Sequence, residues 1–165
     1  MFGFFKKLAE VAENRAIDHA VLRMAADKGV AEAQRDLGKC YYNGQGVPQD
    51  YAEAIKWYRM AADQGDVIAR CCLGYCYDRG QGVPQDHAEA IKWFRTAADQ
   101  GDATAQRNLG LCYYDGKGVA ANFVEAAKWH RKAADQALLM QKTISPSATT
   151  PATACPKIWS RRPNG

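Results

Sequence analysis

Six cysteines, three histidines and a set of regularly spaced carboxylates are the residues of this chain best equipped for chemistry. Three of the thiols fall within six letters, CCLGYC at residues 71–76. Closely set thiolates invite a zinc site, which needs about four ligands closing around the metal. His19, His87 and His130 stand apart from that run and from one another, so no metal is expected. Cys72 and Cys76 are one helical turn apart, which sets their Cβ atoms ~5–6 Å from each other, against the ~3.8 Å of a disulfide. Nucleophilic catalysis requires a nucleophile, a base and an orienting group that converge in a pocket, and no such set stands out. The glycine-rich GQGV lacks the Lys-Ser/Thr of a phosphate-cradling loop. The expectation is a non-enzyme with no catalytic residues, no cofactor and no metal.

The elements that carry these residues are copies of one another. GQGVPQD occupies residues 44–50 and again 80–86, and a looser GKGVAAN follows at 116–122. The spacing is 36 residues each time, and residues 29–64 match residues 65–100 in 24 of 36 columns. A period of that size marks a stacked repeat architecture. Three units are expected, at 29–64, 65–100 and 101–136.

Each unit splits into two helix-sized halves. In the first half, helix A, the columns Ala33/Ala69/Ala105, Leu37/Leu73/Leu109, Cys40/Cys76/Cys112 and Tyr41/Tyr77/Tyr113 lie at offsets that share one helix face. Small thiols suit such a core column, and successive copies sit on helices ~8–10 Å apart, too far for a bridge. Gly38, Gly74 and Gly110 interrupt helix A at about 1 kcal/mol each relative to Ala, which predicts a close helix crossing where a Cβ would clash. The loop glycines supply backbone shapes other residues avoid. Asp50 with Glu53, Asp86 with Glu89 and Asn122 with Glu125 have capping-box spacing, a structural use of these carboxylates. In the second half, helix B, Ala61/Ala62 and Trp57 recur with their equivalents, the small residues admitting neighbours and the indoles filling space between units. Gly65 and Gly101 read as left-handed stops, and Asp66 and Asp102 as caps of the next helix A.

The run A-x-x-x-L-G-x-C-Y, then G-x-G-V-x-x-D, then E-A-x-K-W-x-R-x-A-A-x-x-G resembles Sel-1-like repeats, relatives of the tetratricopeptide repeat. The Trp that the larger family carries three residues before its Leu is replaced by Gln34, Arg70 and Gln106, and the period is 36 rather than 34. The resemblance implies an all-α fold, an α/α superhelix: a right-handed solenoid of antiparallel helix pairs that bury a core only by stacking. It also implies a protein-interaction scaffold or adaptor whose concave side is lined by helix A. Cysteine-rich relatives staple helix A to helix B and have been credited with penicillin binding. No helix B here carries a cysteine, so the staple does not carry over and a reducing compartment is expected. A weak envelope-associated hydrolase and a structural oligomerisation module are the alternatives.

Of the 12 columns that differ between the first two units, nine belong to helix A and its edges. Columns 35, 39 and 42 point roughly opposite the core face. They hold Arg35, Lys39 and Tyr42, then Cys71, Tyr75 and Asp78, then Arg107, Leu111 and Tyr114. Tyr and Arg are enriched where binding energy concentrates. Arg35, Lys39, Tyr42, Tyr75, Asp78, Arg107, Leu111 and Tyr114 are therefore the expected protein-binding residues of one groove, facing a peptide or protein partner whose identity the sequence does not reveal.

Outside the units, residues 1–28 read as an amino-terminal helical cap, with 15–28 a lone helix B and 2–12 a helix over the open end. Residues 137–165 break the pattern. ALLMQK prolongs the last helix B, and the Thr-, Ser- and Pro-rich remainder is expected to be disordered. It reads either as a flexible arm with Trp159 as a docking motif or as a product of truncation or frameshift, and its lack of a polar sealing helix leaves an end through which copies could self-associate.

The net charge of +4 comes from Lys142, Lys157, Arg161 and Arg162 in that segment, which holds no acid. The remainder is balanced, a poor footprint for nucleic acid. No stretch resembles a signal peptide or a membrane span, and a cytoplasmic location is expected.

Overall fold

The computed structural model describes residues 19–143, and every regular element among them is a helix. After α1 (residues 19–27) come α2 (Ala31–Asn43), α3 (Tyr51–Asp63), α4 (Val67–Arg79), α5 (His87–Asp99), α6 (Ala103–Asp115) and α7 (Phe123–Thr143). The cap expected over residues 2–12 lies outside the described residues. So does the tail from residue 144, whereas residues 137–143 continue α7 as ALLMQK predicts.

Each helix packs on the next in chain order, more extensively within the pairs α2/α3, α4/α5 and α6/α7 than between them. This is an all-α solenoid in which the pair is the repeating layer. Leu37, Leu73 and Leu109 are fully buried, one per layer. The core runs along the stack from Tyr42 to Trp129, and a smaller cluster of Ala26, Ala33, Leu37 and Trp57 fills the junction of α1 with the first pair.

The helix-A glycines explain the tight pairing. A Cβ on Gly38 would stand 2.7 Å from the Tyr58 ring, one on Gly74 2.6 Å from the Phe94 ring, and one on Gly110 2.9 Å from His130. All three are closer than van der Waals contact permits. The aromatic column of helix B lies flat where helix A has no side chain. The second loop glycine serves the contact between layers. Gly82 (φ 75°) places its α-carbon where a Cβ would meet the Tyr51 carbonyl at 2.6 Å, and Gly118 does the same against His87. The loops at 80–86 and 116–122 are thus pressed on the first turn of the previous helix B.

The caps form, with one difference from the expected box. Asp50 accepts from the backbone N–H of Ala52 and Glu53, Asp86 from that of Glu89, and Asn122 from those of Val124 and Glu125. The glutamates turn outward to lysines: Glu53 to Lys56, Glu89 to Lys92 at 2.8 Å, and Glu125 to Lys128 at 2.6 Å. The reason is local. The N–H that such a glutamate would satisfy already donates to the carbonyl of Tyr41, Tyr77 or Tyr113 at the end of the preceding helix A.

Candidate functional site

The eight expected binding residues sit on α2, α4 and α6 in three columns, and the exposure of the Tyr42, Asp78 and Tyr114 column grades along the stack. Tyr42 is buried at 6% exposure, Asp78 is half-buried, and Tyr114 is exposed at 57%. In each layer this column meets the first residue of its own helix B. Tyr42 packs edge-on to Tyr51 at 5.2 Å, Asp78 accepts from or pairs with His87 Nδ1 at 3.0 Å, and Tyr114 packs edge-on to Phe123 at 5.3 Å. Tyr42 is also roofed by the next layer: its ring meets Tyr75, and its hydroxyl donates to Gln81 Oε1 at 2.5 Å. Burial pushes its phenol pKa far above the ordinary value. As a contact for a partner, Tyr42 is already used.

Arg35 is engaged too. Its guanidinium holds Asp66 Oδ2 at 3.0 Å and Asp36 at 2.9 Å, and Arg35 and Asp66 side chains are only 12% and 9% exposed. Partial burial works against the charge on Arg35, but hydrogen bonding to Asp36 and the fields of Asp36 and Asp66 outweigh it and hold the pKa above its usual value. Burial likewise opposes the charge on Asp36, and Arg35 with Lys39 outweighs it, so that carboxyl lies below its usual range. Cys71 fills this column in the second layer and is buried. Arg107, in the third, is exposed and makes no ion pair or hydrogen bond among the described residues.

The middle column stays half-exposed throughout: Lys39, Tyr75 and Leu111 stand on three successive A helices. Lys39 contacts Asp36 at 3.3 Å, and the guanidinium of Arg79 lies 5.5 Å from the Tyr75 ring. The row is cationic, aromatic and aliphatic in turn.

Two sets of inter-layer contacts went unread in the sequence. Arg23 donates to the Tyr41 hydroxyl at 3.0 Å, and Arg59 and Arg95 donate to Tyr77 and Tyr113, each 18 residues on. The guanidinium carbons of Arg59 and Arg95 also lie 6.0 and 5.8 Å from those rings. The second set caps helix B. Gln34 and Gln106 donate to the carbonyls of Ala26 and Ala98 at 3.1 Å, and Arg70 Nε donates to that of Ala62 at 3.2 Å. The recurrence of Arg and Tyr in fixed columns was the available signal for the first set.

None of the five described cysteines is disulfide-bonded, and four of them are buried. Burial raises the pKa of Cys76 to about 12 and of Cys112 to about 11, with further upward pushes from Cys72 and Asp78 respectively. Cys40 is raised by partial burial. Cys40, Cys76 and Cys112 are protonated packing groups at neutral pH, the reverse of an activated nucleophile. Among the described residues no group of three or more His, Cys, Asp or Glu is placed to hold a metal, and no helix is long and apolar enough to cross a membrane.

The family described as Sel1 repeat matches residues 31–66, 69–102 and 103–138. No curated protein matches the chain. Among solved structures, c5321, a protective antigen of uropathogenic Escherichia coli strains displaying an SLR fold, is 47% identical over 70% of this chain and 25% of its own, with a TM-score of 0.69. A Sel1 repeat protein from Oxalobacter formigenes is 37% identical over 74% of this chain and 50% of its own, with a TM-score of 0.70. The chain thus spans a quarter and a half of the length of these two proteins.

Proposed function

This chain belongs to the Sel1 repeat family, and from that premise we propose that it is a non-enzymatic scaffold that holds a peptide or protein partner along the exposed row of its A helices. Proteins built of Sel1 repeats generally mediate protein–protein interaction. The observation that carries the reading is the contrast between layers. The frame repeats almost letter for letter, while the half-exposed Lys39, Tyr75 and Leu111 differ at equivalent places. A solenoid changes its specificity in this way, through a few side chains on an unchanged support. Asp78, Arg107 and Tyr114 stand in the neighbouring columns, Tyr42 packs against Tyr75, and Arg35 shares Asp36 with Lys39.

A reducing, cytoplasmic setting fits the described cysteines, none of which is disulfide-bonded, and the lack of cysteine in α3, α5 and α7. Simultaneous replacement of Lys39, Tyr75 and Leu111 by Ala is expected to abolish capture of partners in a comparative pull-down, with far-UV circular dichroism unchanged. Partners retained by the triple variant at wild-type levels would refute the groove.

A further inference from the structure

The face that α7 and α6 present beyond the last pair repeats the faces that α3 and α5 present to their successors. In the first layer Ile55 and Ala62 are buried by α4, at 4% and 2% exposure. Their equivalents, Ala127 and Ala134, are exposed. Phe123 and Val124, at 65% and 67%, are the most exposed large hydrophobics among the described residues. Together with Ala127, Lys128 and Arg131 they line an open recess of about 640 Å³, and a second of about 340 Å³ lies between α6 and α7 beside Arg107 and His130.

Two cations on this face lack the partners their equivalents have. Arg59 and Arg95 each reach a tyrosine of the following A helix, whereas Arg131 makes no hydrogen bond or ion pair among the described residues. Arg35 reaches Asp66, the N-cap of the following A helix, whereas Arg107 is unpaired. Both missing partners belong to one element: a helix with an aspartate at its N-cap and a tyrosine eleven residues later, as in Asp66 with Tyr77 and Asp102 with Tyr113. The chain does not supply it, because Leu138 and Thr149 occupy the two corresponding places. The segment after α7 carries no acid to answer the arginines.

We infer that the α6–α7 end face docks an A-type Sel1 helix from another polypeptide, with Arg107 recognising its N-cap aspartate and Arg131 its tyrosine hydroxyl. The interface continues the one already formed twice within the molecule, between α3 and α4 and between α5 and α6. It shares Arg107 with the flank of the groove but uses none of Lys39, Tyr75 and Leu111.

The test uses the full chain and a fluorescent peptide spanning residues 101–119 of this sequence, which carries Asp102 and Tyr113. Anisotropy titrations are expected to show saturable capture. Arg131→Ala in the protein weakens it at least about tenfold, the scale of a hydrogen bond to a charged group. Tyr113→Phe in the peptide costs a similar factor against the wild-type protein and little against Arg131→Ala, the signature of a direct pair. Arg107→Ala and Asp102→Ala in the peptide form a second cycle. Circular dichroism of each protein variant checks that the fold is kept. Absence of saturable capture, or capture indifferent to Arg131→Ala, overturns the assignment. So does self-association of the chain that Phe123→Asp abolishes while the peptide fails to bind, which would assign the face to a symmetric pair of copies.

Discussion

At the scale of single residues, the helix-A glycines set how closely a pair can approach. Gly74 faces Phe94, which is 2% exposed and held on every side, while Gly110 faces the half-buried ring of His130. Adding a methyl group gains about 1 kcal/mol of helix propensity at either place, but overpacking a rigid core costs about 1–3 kcal/mol. Gly74→Ala is therefore expected to lower unfolding stability by up to about 2 kcal/mol in urea, and Gly110→Ala by less, because His130 can swing aside. Phe94→Leu in the Gly74→Ala background should recover part of the loss. Equal losses at the two glycines would show that the aromatic column is not what the missing side chain accommodates.

At the scale of the element, each helix B begins on one half of a capping box. Asp86 satisfies an N–H of its helix, whereas Glu89 serves only an exposed lysine. Asp86→Ala is expected to cost about 1 kcal/mol and Glu89→Ala no more than about 0.5 kcal/mol, read as the shift in urea midpoint at constant slope. Comparable losses would mean that the glutamate closes the box in solution. The helices, their caps and the clash at each glycine were legible because equivalent residues stand 36 apart and comment on one another. Of the three columns expected to face outward, only the middle one is half-exposed in every layer. Helix periodicity gives the direction of a side chain, but not whether the next layer roofs it. Tyr42 is covered by Tyr75 and Gln81, and Arg35 is neutralised by Asp66, both contacts across a layer boundary. Only at the end of the stack, at Arg107 and Tyr114, does the outward direction coincide with exposure.

At the scale of the whole molecule, stability is the sum of similar layers and similar junctions. Excising residues 65–100 would join Gln64 to Gly101, the same step as Gln100 to Gly101 in the intact chain. It would bring Asp102 opposite Arg35 and Tyr113 opposite Arg59, renewing both inter-layer contacts. The shortened protein is expected to fold, with strong helical ellipticity retained and a lower melting temperature. A chain that loses its ellipticity altogether would show that the layers are not interchangeable. The last helix departs from its siblings in length. α7 has 21 residues where α3 and α5 have 13, since Ala137 stands where Gly65 and Gly101 turn the backbone at φ 94° and 92°. Eight extra residues at about 1.5 Å each carry the backbone about 12 Å farther before it is free to change direction. Thr143 thus stands about two helical turns beyond the level at which α3 and α5 stop.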